Sequence, residues 1–106
     1  MNLEELFEEI FSGQPLRTET VDTSYHTDGD FLWVIDTCKT ADMGYETGIK
    51  INYKGNPAVD WVIVDEYSDK EAAEMGHRKW LIDVERDHPK YLYDIRCGTI
   101  HGVEVK

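Results

Sequence analysis

The chain has 106 residues, 41% of them apolar and 11% aromatic, which is enough for one modest hydrophobic core and too little for two. It carries 22 acidic against 11 basic side chains, a formal net charge of −11 with histidine neutral. A field of that sign repels phosphate backbones, so direct nucleic-acid binding is not expected, and the acids suit a soluble surface or docking on a basic partner.

Taken in chain order, the first predicted element is a short helix over residues 2–12. Asn2 and Glu5 resemble a capping box, and Leu3, Leu6, Phe7, Ile10 and Phe11 fall on one helical face. Glu4, Glu5, Glu8 and Glu9 occupy the other face, and Ser12-Gly13 is a stop signal. Glutamates at these positions are the opposite of the positive charge a secretory leader needs, so none is expected. A helix this short is marginal alone, so its stripe has to bury against the domain, a partner or a second copy of the chain.

After "GQPLR" (13–17) the texture becomes that of strands. "ETVDTSY" (19–25) alternates weakly, and Asp28-Gly29 reads as a hairpin turn rather than a calcium loop. "FLWVIDTC" (31–38), "YETGIKINY" (45–53) and "AVDWVIVDEY" (58–67) follow, with turns at "TADMG" and "KGNP". Strands this close, joined by short turns, predict an antiparallel meander. No apolar stretch approaches the ~20 residues of a membrane span.

The main helix is predicted over residues 68–86. Ser68 and Glu71 form a capping box, and Asp69 adds negative charge at the N-terminus. Ala73, His77, Trp80, Leu81 and Val84 share one face. Ala72, Ala73 and Gly76 are small enough to let this face lie close on a sheet. A glycine costs about 1 kcal/mol in a helix interior relative to alanine, so close packing is the reason expected for Gly76. Pro89 ends the helix, and "YLYDIRCG" (91–98) and "TIHGVEV" (99–105) are two further candidate strands, or a strand and a tail. The sum is a single α+β domain, an antiparallel meander of four to six strands covered by one main helix, with helix 2–12 as a docking or oligomerisation element.

Catalysis finds little support. His77 is expected to pack beside Trp80, with a ring nitrogen reaching a carbonyl or carboxylate; a general base would also need an orienting partner and a nucleophile. There is no Gly-x-Ser-x-Gly, zinc-protease helix or phosphate-cradling loop. Cys97 and His101, with Cys38 and His26, are the nearest approach to a zinc set. In an extended chain at ~3.3 Å per residue, Cys97 and His101 would stand ~13 Å apart. No metal, cofactor or enzyme activity is expected, and the two cysteines read as reduced thiols of a cytosolic chain.

"GYETGI" (44–49) and "DWVIVDEYSDKEAAEMGHRKW" (60–80) together resemble small proteins encoded by tailed phages and prophages. The shared pattern is an aromatic-Glu-Thr hairpin start, carried here by Tyr45, Glu46 and Thr47. A capped helix follows, carried by Tyr67, Glu71, Ala73, Gly76, His77 and Trp80. The resemblance covers a third to half of the chain and implies origin more than chemistry, in the host bacterial cytoplasm or the virion. Two functions follow as expectations. The first is a structural or assembly protein that binds a phage or host protein and self-associates through the stripe of residues 3–11. The second is an inhibitor of a host defence nuclease that mimics nucleic acid, in the manner of anti-CRISPR proteins. Its acidic faces would be Glu4, Glu5, Glu8 and Glu9, and Asp65, Glu66, Asp69 and Glu74.

Overall fold

Apolar runs punctuated by two-residue turns build most of the molecule. The computed structural model describes residues 17–41 and 44–103. The chain runs β1 (Arg17–Asp28), β2 (Phe31–Thr40), β3 (Gly44–Tyr53), β4 (Asn56–Tyr67), α1 (Lys70–Asp87), β5 (Tyr91–Asp94) and β6 (Thr99–Gly102). The predicted helix 2–12 lies outside the described residues, and so do all the side chains assigned to its two faces.

Strands β1 to β4 form the expected antiparallel meander in the order β1-β2-β3-β4. The β3–β4 turn is tight because Lys54 and Gly55 both take positive φ, 50° and 81°, the requirement of a type I′ hairpin. The outer strands have 12 residues each and the inner ones 10. The surplus is taken up in register shifts between Arg17 and Glu19 and between Thr20 and Asp22 in β1, and at three places along β3–β4. Such bulges bend and twist a strand. In β4 they let Val59, Val62 and Val64 all join the core, although these positions do not follow a strict period of two.

The core lies between the sheet and α1. Trp33 and Ile35 pair across the ladder with Ile51 and Ile49, and they pack with Val59, Val62, Val64, Val84, Leu92 and Val103, with Phe31, Trp80 and Leu81 at the margin. On the opposite face of the inner strands Val34, Asp36, Cys38, Glu46 and Lys50 are also buried. β1 runs alongside the helix in the same direction. Glu19 meets Lys70 at 3.1 Å, Ser24 meets His77 at 2.8 Å, and His26 meets His88 at 3.2 Å.

The helix starts one residue later than the capping box suggested. Asp69, not Ser68, is the N-cap: it has extended backbone, and its carboxylate accepts the Ala72 N–H at 2.8 Å. An ionised cap also suits the positive end of the helix dipole. The helix ends at Asp87 because His88 takes a left-handed conformation, φ 42°, and donates its N–H to the Val84 carbonyl. Pro89 follows, and a residue before proline is biased away from helix.

The stretch 91–98 was expected to be one strand, but it stops at Asp94. The Asp94 carboxylate accepts the N–H groups of Arg96 and Cys97 at 2.9 and 3.0 Å, and Gly98 N–H bonds the Asp94 carbonyl at 2.8 Å. These bonds turn the chain back, so β5 and β6 form a separate two-stranded sheet rather than a fifth and sixth strand of the first. Asp94 also holds this hairpin to β4, accepting from Ile63 N–H at 3.4 Å, while Ile95 N–H bonds the Ile63 carbonyl at 2.9 Å. Replacing the buried Asp94 by Ala removes acceptors from three backbone donors. It should cost about 2–3 kcal/mol in urea unfolding and speed amide exchange in the hairpin ahead of α1.

Candidate functional site

His77 is where chemistry would be sought first, and the fold decides its role. Its side chain is only 1% exposed, between α1 and the sheet. Its Nδ1 lies 2.7 Å from Thr37 Oγ1, and its Nε2 lies 2.8 Å from Ser24 Oγ, with the Asp22 carboxylate behind at 3.7 Å. Thr37 continues to Thr47 at 2.6 Å, and Thr47 to the Tyr67 hydroxyl at 3.0 Å. Register makes this possible: Thr37 is paired with Asp22 on one side and Thr47 on the other, and Thr47 with Asp65. Paired residues point to the same face, so the hydroxyls line up across the sheet beneath the helix.

The hydrogen bonds have a consistent direction. One assignment satisfies every member: with His77 Nδ1–H donating to Thr37, Thr37 donates to Thr47 and Thr47 to Tyr67, while Nε2 accepts from Ser24. Each group then donates once, which satisfies a buried polar chain. Burial raises the Tyr67 phenol above its ordinary range, the Thr47 bond lowers it, and the nearby Asp65 charge raises it again. Burial pushes His77 below its ordinary 6.5, with the charges of Asp22 and Asp36 opposing it. His77 is therefore a neutral ring with both nitrogens occupied and no open face for a substrate. The recess outside it is lined by Val21, Asp22, Glu74 and Arg78.

Gly76 sets how close this arrangement comes. A β-carbon built there would overlap the ring of Tyr67. Tyr67 can thus pass beneath the helix to reach Thr47 only because residue 76 has no side chain. The expected close packing is real, and its partner is a single ring.

Two of the predicted acidic positions have work inside the fold. Asp69 caps α1, and half-buried Asp65 accepts the Trp80 indole N–H at 3.4 Å. Glu66 is exposed and, as the strand neighbour of Asp65, points to the other side of the sheet; Glu74 is exposed on α1 beside Asp22. The four are not brought together as one stripe. Nor are Cys38, Cys97, His26 and His101: Cys38 is buried, Cys97 is exposed, and His101 bonds Thr99 at 3.1 Å. Among the described residues no group of three or more His, Cys, Asp or Glu converges for a metal, and no helix is long and apolar enough to cross a membrane.

One surface was not singled out in the sequence. The β5–β6 hairpin buries Leu92 and Asp94 on its inner face, while Tyr91, Tyr93 and Ile100 on the outer face are 63%, 54% and 70% exposed. Tyr93 and Ile100 are direct cross-strand partners, and Tyr91 lies opposite Gly102. The available signal was the alternation in "YLYD", which marks two faces without saying which is solvated. No family of known proteins, no characterised protein and no solved structure matches the chain.

Two outcomes are expected. The unfolded chain binds the His77 proton more readily than the folded one, so the stability tied to the neutral ring is complete above pH 6.5 and declines as pH falls below it, toward the lowered folded value. An NMR titration should place the His77 midpoint under 6.5, and in His77→Gln the stability difference between pH 7.5 and 5.5 should lose this component. Gly76→Ala should gain about 1 kcal/mol of helix propensity and still be net destabilised by about 2 kcal/mol through overpacking. Tyr67→Leu in the same chain should recover most of that loss, a coupling that a double-mutant cycle reads directly.

Proposed function

We propose that the protein is a phage- or prophage-encoded binding protein, structural or assembly-related, that acts through contact with another protein rather than by catalysis. The observation that carries this reading is the outer face of the β5–β6 hairpin, where Tyr91, Tyr93 and Ile100 stand exposed on one surface. Tyrosine supplies large, stiff, amphipathic contact area and is enriched where interfaces concentrate their energy. The occupant that suits this patch is a protein with an apolar spot set among basic side chains. Net −11 steers such a partner to the surface and repels a second acidic chain. The resemblance of residues 44–49 and 60–80 to phage proteins supports the origin, and the occupied state of His77 supports a binding role over a catalytic one.

Ile100→Asp is the test, because it alters only an exposed side chain. Its melting temperature should match the parent protein. The parent, immobilised, should retain a specific host or phage protein that Ile100→Asp fails to retain and that moderate salt releases. Equal retention by both chains overturns the assignment of the face. Retention of a nuclease irrespective of Ile100 favours the nucleic-acid mimic instead. A dimer in light scattering that Ile100→Asp converts to monomer would make the partner a second copy.

A further inference from the structure

His26 and His88 are 62 residues apart in the chain and meet at the molecular surface. Alternation along β1 turns Ser24 and His26 toward the helix, and the left-handed cap at the end of α1 brings His88 to His26. The two Nε2 atoms lie 3.2 Å apart, with ring centroids at 5.3 Å and planes inclined by 21°. Behind His88, its Nδ1 lies 3.7 Å from the Asp28 carboxylate. The contact is a hydrogen bond between two ring nitrogens. The same spacing is the bite of two imidazoles on one tetrahedral ion: bonds of about 2.0–2.1 Å place the nitrogens about 3.3 Å apart. A carboxylate on the far nitrogen is the arrangement that fixes the tautomer of a ligating histidine and strengthens it as a donor.

The helix cap itself needs only the backbone N–H of His88, which bonds Val84, and a side chain is disfavoured at φ 42°. The placement of this imidazole is therefore additional to capping. Next to it is a recess lined by Asp28, Phe31, Trp33, Lys90 and Val103. An anion or water accompanying an ion would lie beside Lys90 there.

We propose that His26 and His88 form a two-imidazole site for a first-row divalent cation of the zinc, copper and nickel group, with Asp28 orienting His88. Imidazole suits these ions, and with no third donor among the described residues the other positions are open to water or a small anion. The bound ion clips the C-terminal end of α1 to β1.

Isothermal titration of the whole chain at pH 7.5 with Zn²⁺, repeated with Ni²⁺, tests the site. One saturable equivalent is expected, abolished by His26→Gln and by His88→Asn, the latter keeping a residue that tolerates the left-handed cap. Asp28→Asn should weaken binding about tenfold, and His101→Gln should leave it unchanged. In the parent protein the ring C–H signals of His26 and His88 should be the ones that shift. No saturable binding of either ion, or undiminished binding in a folded His26→Gln protein, overturns the proposal.

Discussion

The distance between helix and sheet rests on one steric fact: the ring of Tyr67 lies under Gly76, where no side chain can be added without displacing it. At that distance His77 is within 2.7 and 2.8 Å of Thr37 and Ser24. A helix held off by the width of a methyl group would leave the buried imidazole without its two hydroxyl partners, at about 1–3 kcal/mol for each orphaned nitrogen. Apolar packing alone is indifferent to small slides of a helix over a sheet, because the hydrophobic effect has no direction. The polar chain from Ser24 to Tyr67 supplies the missing direction.

Much of this was legible in the sequence, for reasons that differ by element. The stripe Ala73, His77, Trp80, Leu81 and Val84 obeys helical spacing, so its inward face was visible, and the small residue at 76 announced a close approach. The meander was visible in its turns. The partners of His77 were hidden because they depend on strand register: Ser24 and Thr37 lie 53 and 40 residues away, and nothing local marks them among the other hydroxyls. The helix start was misread between two adjacent residues that can both cap, and the extended backbone of Asp69 decided it. The separate β5–β6 sheet was missed because a side-chain turn at Asp94 interrupts what looks like continuous strand.

Structural bonding and the outer field divide the acidic residues named above between them. Asp65, Asp69 and Asp94 are committed to an indole, a helix cap and a turn. Glu66 and Glu74 are exposed and contribute to the field around the domain. Against that field the tyrosines of the hairpin form an apolar-aromatic surface on a strongly negative body. The same hairpin is anchored to β4 through Asp94 and Ile95, so its outer face is presented on a supported element rather than on a free loop.

The two flanks of the four-stranded sheet are finished differently. β4 has its rim engaged by the hairpin through Ile63. β1 among the described strands pairs only with β2, and it is interrupted by two bulges and carries Glu19, Asp22 and Asp28. A kinked, negatively charged rim is a poor template for another strand. A neighbouring molecule would then meet two bulges and the carboxylates of Glu19 and Asp22 in the first half of this strand, which disfavours zipping on there.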